Sequence, residues 1–175
     1  MKCQKNKCII PSACLFEKGD IDFSIWDIPP GKTTIMADVH EPATRSYNMS
    51  QIKATDTKPE MMVRKFLHAN GFRYRLHVKD LPGKPDLVLP RYNSVIFVHG
   101  CFWHAHIGCK YFKLPETRTA WWKEKLFGNK ERDAKHIEIL KELGWNEIVV
   151  WECELKPEKK EKTLIRIVEE LENSR

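Results

Sequence analysis

Eleven residues, His99 to Cys109, read HGCFWHAHIGC. They carry three histidines and two cysteines, which bind metals, around a Phe-Trp pair of the kind that normally fills a core. Cys101, His106 and Cys109 offer three soft or borderline ligands within nine residues. Cys153 follows the apolar run NEIVVWE, and a strand end can meet the loop that leaves a neighbouring strand. Cys153 is therefore the candidate fourth ligand. Three thiolates and one imidazole make a closed, tetrahedral zinc site of the structural type. Such a clip would force two distant parts of the chain together. The plain alternative is that the cysteines are small buried hydrophobes and His106 lies at the surface.

The 175 residues suit one domain with one sizeable core. The longest apolar runs are SVIFV and EIVVW, far short of the ~20 residues that cross a membrane, so no membrane partner is expected. The start, MKCQKNKCIIPSACLF, has no long apolar stretch and is not read as a secretory signal. A disulfide framework is then not expected of the six cysteines, which favours metal ligation for Cys101, Cys109 and Cys153. The net charge of +6 favours a polyanionic partner. Between Ala37 and Pro85, nine Lys/Arg (45, 53, 58, 64, 65, 73, 75, 79, 84) face five acids (38, 41, 56, 60, 80).

The turn-rich WDIPPGKTT, from Trp26 to Thr34, separates residues 1–35 from the rest. They are expected to be an appendage, disordered or untranslated, with Met36 as an alternative start and 36–175 as the domain. Met49 and Ile52, three apart, suggest a short helix over 44–54. Thr57 is placed to cap KPEMMVRKFLHAN, with Pro59 and Glu60 in the first turn, Asn70-Gly71 at the end, and Met62, Val63, Phe66 and Leu67 as its apolar face. FRYRLHV alternates and reads as a strand. DLVLP and NSVIFVH read as a hairpin of buried strands. A long helix is expected from Thr119 to Leu143, with Ile137, Leu140 and Leu143 on its core face. The strand NEIVVWE and an amphipathic helix over 157–173 follow. This order predicts an α/β fold, a mixed central sheet flanked by helices on both faces.

The hairpin sets Asp86, at the start of one strand, beside His99, at the end of the next. A carboxylate there can hold Mg²⁺, helped by a main-chain carbonyl near Val98. His104 is a candidate to take a proton from water, and Asp133 on the long helix to orient it. Glu60 is a further acid. Each has a bland reading: Asp86 as a turn residue, Asp133 as an exposed helix charge, Glu60 as a favourable charge at a helix start. These residues by themselves reach only a metal-assisted hydrolase acting on something anionic.

The segments MADVHEPATRSYNMSQIKATDTKPE, LPGKPDLVLP, VIFVHGCFWHAHIGC, PETRTAWWKEKL, GNKERD and LGWNEIVVWECEL closely resemble the very short patch repair (Vsr) DNA mismatch endonucleases. The resemblance runs from about Met36 to Leu155, and HGCFWH followed by WEC is its most specific part. It implies a type II restriction-endonuclease-like fold and Mg²⁺-dependent nicking on the 5′ side of the thymine of a T:G mismatch, the product of 5-methylcytosine deamination. It implies Asp86 as the Mg²⁺ carboxylate with the carbonyl of Val98, and His104 as the proton-transfer histidine with Asp133 as its partner. Glu60 and His99 become supporting groups, and Cys101, His106, Cys109 and Cys153 the structural zinc set. It implies Phe102, Trp103 and Trp122 as an aromatic wedge, Met49 on a helix against the minor groove, and Lys125 and Asn129 near the mismatched pair. Where the usual restriction-fold signature has an acid and a lysine, this chain has Val98 and His99, so the mechanism leans on histidine. The implied partners are duplex DNA with a T:G mismatch in a CT(A/T)GG-like context, a MutL-type repair protein, and functionally a cytosine-5 DNA methyltransferase. The implied state is a monomer at the nucleoid of the bacterial cytoplasm.

Overall fold

A computed structural model describes residues 41–53 and 55–174. The appendage expected over 1–35, and the start at Met36, lie outside the described residues. The elements are α1 (Pro42–Ser50), α2 (Lys58–Ala69), β1 (Arg75–Leu76), β2 (Leu87–Leu89), β3 (Ser94–His99), α3 (Thr119–Glu142), β4 (Asn146–Trp151) and α4 (Lys160–Asn173), with 3₁₀ turns at Pro90–Tyr92 and Glu152–Leu155.

The four strands form one mixed sheet in the order β1-β2-β3-β4. β1 pairs antiparallel with β2 and β2 with β3, while β4 lies parallel to β3. The inner strands are apolar almost throughout because both faces of the sheet are covered. Leu87 and Leu89 of β2, Ile96 of β3 and Ile148 and Val150 of β4 join Val63 and Leu67 of α2 and Leu164, Ile167 and Leu171 of α4 in one core. The alternate residues Val88, Val95 and Phe97 meet Leu140 of α3 on the other face.

α2 starts where its residues dictate. The Thr57 hydroxyl accepts the Glu60 N–H, and the Glu60 carboxylate accepts the Thr57 N–H, each at 3.4 Å. Every described side chain of α1 is exposed.

Two expectations need correction. The alternation of FRYRLHV predicts a seven-residue strand, but only Arg75 and Leu76 pair with β2. The chain turns left-handed at His77 (φ 46°), which ends the ladder. Leu143, expected on the core face of the long helix, is 58% exposed, because the helix has already ended at Glu142 and Leu143 caps it.

Candidate active site and metal centre

The antiparallel register sets Asp86 one step before the Leu87–Ile96 pair. Its side chain crosses to β3 and accepts the Val98 N–H at 2.7 Å through Oδ2, leaving Oδ1 for another partner. Burial pushes the Asp86 carboxyl up to about 6; the Val98 hydrogen bond opposes this and the charge of Glu60 adds to it.

Asp86, Val98, His99, His104 and Asp133 line one cleft. His104 follows the end of β3 in a loop that folds back onto α3. Its Nδ1 meets Asp133 Oδ2 at 2.5 Å. In the preceding residue, the Trp103 carbonyl accepts the Asn129 amide at 3.0 Å. Asn129 and Asp133 are one helical turn apart, so two consecutive loop residues are pinned to one face of α3. The His99 and His104 rings stack with centroids 3.9 Å apart and planes within 2°. Burial, helped by His104 and opposed by Asp133, lowers His99 to about 4, so it is neutral near pH 7. Burial works to raise Asp133, yet the His104 hydrogen bond and charge bring it below the ordinary carboxylate value. An Asp on Nδ1 fixes the neutral tautomer with the proton on Nδ1 and turns the Nε2 lone pair outward, as a general base requires.

Glu60 does not line the cleft. It is 1% exposed, accepts Arg64 at 3.2 Å, and lies 3.3 Å from His77 Nε2. Its charge nonetheless reaches Asp86.

The second constellation follows from the parallel register. His99 pairs with Trp151, so Cys101 and Cys153 leave neighbouring strands at the same offset. Ligand atoms of Cys101, His106, Cys109 and Cys153 all lie within 4.8 Å of one another. The edge of a tetrahedron with zinc–sulfur bonds is roughly 3.8 Å, close enough for small torsions to complete. Burial first, then the Cys153 and Cys109 thiols, raises Cys101 to about 12 against a backbone hydrogen bond at Cys153. Burial also raises Cys153, helped by Cys109 and opposed by the Cys101 hydrogen bond. Burial opposes ionisation of Cys109 too, but the backbone N–H groups of Tyr111 and Phe112, with hydrogen bonds from the other thiols, lower it. Three thiols this close ionise together only around a cation, and amides aimed at sulfur are what a metal thiolate needs. The donor set fits a metal.

Between these two constellations Phe102 and Trp103 sit half-buried, outside both cores. With Trp122 they form an aromatic cluster, centroids 5.1–6.1 Å apart. Trp121 is 45% exposed, and Lys125 lies 5.2 Å over its ring. Met49 is 41% exposed on α1, and neither it nor Lys125 lines the cleft.

Three residues around the site escaped the sequence reading. His77 flanks Glu60, and its N–H donates to the Asp86 carbonyl at 3.3 Å. His136, one turn beyond Asp133, lines the cleft. Trp151 stacks on His106 at 4.0 Å and meets His99 edge-on at 5.4 Å, touching a ring from each constellation. The spacing of His136 from Asp133 was a usable signal; the other two needed strand register.

Residues 37–110 match the family described as DNA mismatch endonuclease Vsr. The DNA mismatch endonuclease Vsr of Escherichia coli (strain K12) is 49% identical over 125 residues, 71% of this chain and 80% of that protein. The chain belongs to the Vsr family. The type II nicking enzyme V.XorIIP of Xanthomonas oryzae pv. oryzae is 48% identical over 120 residues, 69% of this chain and 88% of that relative. V.NmeAIP of Neisseria meningitidis, another type II nicking enzyme, is 48% identical over 121 residues, 69% of this chain and 86% of its own. The four-stranded mixed α/β sheet, the acid-histidine cleft and the Cys/His cluster are thus features of a Vsr family member. Among the described residues no helix is long and apolar enough to cross a membrane.

Proposed function

We propose that this chain is a DNA mismatch endonuclease that nicks the thymine-bearing strand on the 5′ side of a T:G mismatch in very short patch repair. The observation that carries the chemistry is the convergence of Asp86, Val98, His104 and Asp133 on one cleft. The sheet order, with the acid at the start of β2 and its neighbour on β3, supports a restriction-endonuclease-like fold.

Asp86, through Oδ1, and the Val98 carbonyl are the groups that would hold Mg²⁺. Bound there, the ion supplies neutralisation of the phosphate and a lower pKa for a water it carries. His104 takes the proton of the attacking water at Nε2, and Asp133 keeps the ring oriented and stabilises it once charged. His99 supports the His104 ring from its far face and, being neutral, adds no repulsion when His104 becomes cationic. Glu60 adds negative charge behind Asp86, held by Thr57 and Arg64. The products are a 3′-hydroxyl and a 5′-phosphate.

Cys101, His106, Cys109 and Cys153 would hold a structural zinc ion. They clip both ends of the loop that carries Phe102, Trp103 and His104. A loop clipped in this way can keep an aromatic pair rigid at the surface, where it can enter the base stack. Opening a stack beside a wobble pair costs less than beside a Watson–Crick pair. The wedge and the base therefore share one segment, which couples sensing to cutting. The test compares nicking of T:G, T:A and C:G duplexes with Mg²⁺. Cutting of T:G alone supports the reading, and equal cutting of all three overturns it. The partners this reading brings are a MutL-type protein and, functionally, a cytosine-5 methyltransferase.

A further inference from the structure

Among the described residues, the cleft has a lysine that none of this chemistry uses. Lys84 lines it together with Asp86, His104 and Asp133. It lies in the turn LPGKPD, just before the metal carboxylate, and its own N–H closes the turn on the Leu81 carbonyl at 3.1 Å. Gly83 and Lys84 both take left-handed conformations, φ 73° and 50°. That is ordinary for glycine and costly for lysine. The turn is also pressed down. A Cβ on Gly83 would stand 3.1 Å from Cβ and Nδ1 of His136 and 3.2 Å from the Phe97 ring. The Lys84 backbone is therefore set by packing against α3 and β3, while its side chain stays exposed. No acidic side chain among the described residues pairs with it.

The position has chemical meaning. A phosphodiester drawn to Asp86 brings a negative charge to a cleft that already holds two carboxylates. The sequence has no lysine at the strand position where the restriction-fold signature expects one. Lys84 reaches the same cleft from the turn before β2.

The other side of the site gives a direction. A second depression shares Val98 and His104 with the first and is lined by Trp103, Lys53 and Lys58. A strand that occupies both depressions would run from that wedge side, across His104, toward Lys84. A cut on the 5′ side of the thymine puts the thymine toward the wedge and the upstream nucleotide toward Lys84.

We infer that Lys84 is a substrate-binding residue that grips the backbone phosphate one step 5′ of the scissile one, through a charge-assisted hydrogen bond to a non-bridging oxygen. This rests on the nicking activity proposed above.

The test uses the full chain in excess over a labelled T:G duplex at saturating Mg²⁺, with K84A and K84R, and a second duplex with a neutral methylphosphonate at that one phosphate. On the natural duplex K84A should nick roughly 10- to 100-fold more slowly, in line with loss of a hydrogen bond to a charged group, and K84R should keep most of the rate. On the methylphosphonate duplex wild type should fall to about the K84A rate, and K84A should lose nothing more. Wild-type nicking with an unimpaired K84A overturns the inference and leaves the activity standing. Losses from K84A and from the methylphosphonate that multiply also overturn it, because the lysine would then be acting elsewhere. A wild-type chain that leaves the natural T:G duplex intact overturns the nicking activity itself, and the inference with it.

Discussion

Asp86 is ionised at neutral pH only at a cost to the fold. Its carboxyl sits at about 6 when folded against an ordinary 3.8, chiefly through burial. A raised acid pKa means that the folded chain binds the proton more tightly than the unfolded chain. The penalty is therefore absent below about pH 3.8, grows between 3.8 and 6, and is complete above 6. Asp86→Asn keeps an acceptor for the Val98 N–H and removes the charge. In Mg²⁺-free buffer at pH 7.5 it should be more stable than wild type, by an amount of the order of 2–3 kcal/mol at most. The two should converge at pH 4. Added Mg²⁺ should raise the wild-type Tm and leave the variant unmoved, and nicking by the variant should be lost. Denaturant unfolding at the two pH values checks the first part. A variant less stable at pH 7.5 would mean that Asp86 is a structural turn residue. His104 carries no such ambiguity. His104→Ala should cut single-turnover nicking by roughly 10²- to 10⁴-fold, the usual share of a general base, with DNA binding nearly kept. A wild-type rate in His104→Ala would move the proton to another group.

On the proposed reading the loop from Gly100 to Phe112 does two jobs that sequence patterns keep apart, and each has its own test. Its ends belong to the Cys/His cluster. Metal analysis of the purified chain should find about one zinc, and Cys153→Ser should lose it together with stability and solubility, since metal binding energy is folding energy at such a site. A metal-free chain with an unchanged Tm would return the cysteines to the core. Its middle carries the proposed wedge. Trp103 is half-buried and touches Phe102 and Trp122, not the two cores. Trp103→Ala should therefore change stability by less than about 1.5 kcal/mol, where a buried Trp would cost about 3–5. It should weaken T:G binding by roughly 1–3 kcal/mol, and matched duplex by less. The check pairs unfolding with binding to T:G and T:A duplexes at one stated salt concentration. The Cys/His spacing within this loop, which the fold gathers into one cluster, was legible in the sequence. Glu60 was legible only as a helix-start acid. That its carboxylate is buried against Arg64 and His77 depends on where β1 runs, and the period-2 pattern of FRYRLHV misled there because alternation cannot signal a left-handed residue such as His77.

At the scale of the molecule, the legible part was the part with strong patterning. β2, β3 and β4 are buried on both faces, so they read as unbroken apolar runs, and their order with α2, α3 and α4 follows from the alternation of periods. The parallel pairing of β3 with β4 was less visible, yet it sets Cys153 beside Cys101 and Trp151 beside His99. Register is a property of two strands, and no single stretch encodes it. The placement of core and site along the chain carries a prediction about the chain as a whole. Among the described residues, the buried members of both cores lie between Val63 and Leu171. Every candidate for the cleft, the metal centre and the wedge lies between Met49 and Cys153, and the family match begins at residue 37. A chain beginning at Met36 should therefore fold with the full-length Tm and nick a T:G duplex within about threefold of the full-length rate. The measurement is thermal unfolding beside single-turnover nicking of both chains on the same duplex. A shortened chain that keeps its Tm but loses most of its nicking would give residues 1–35 a part in holding DNA. A large fall in Tm would instead make them part of the fold.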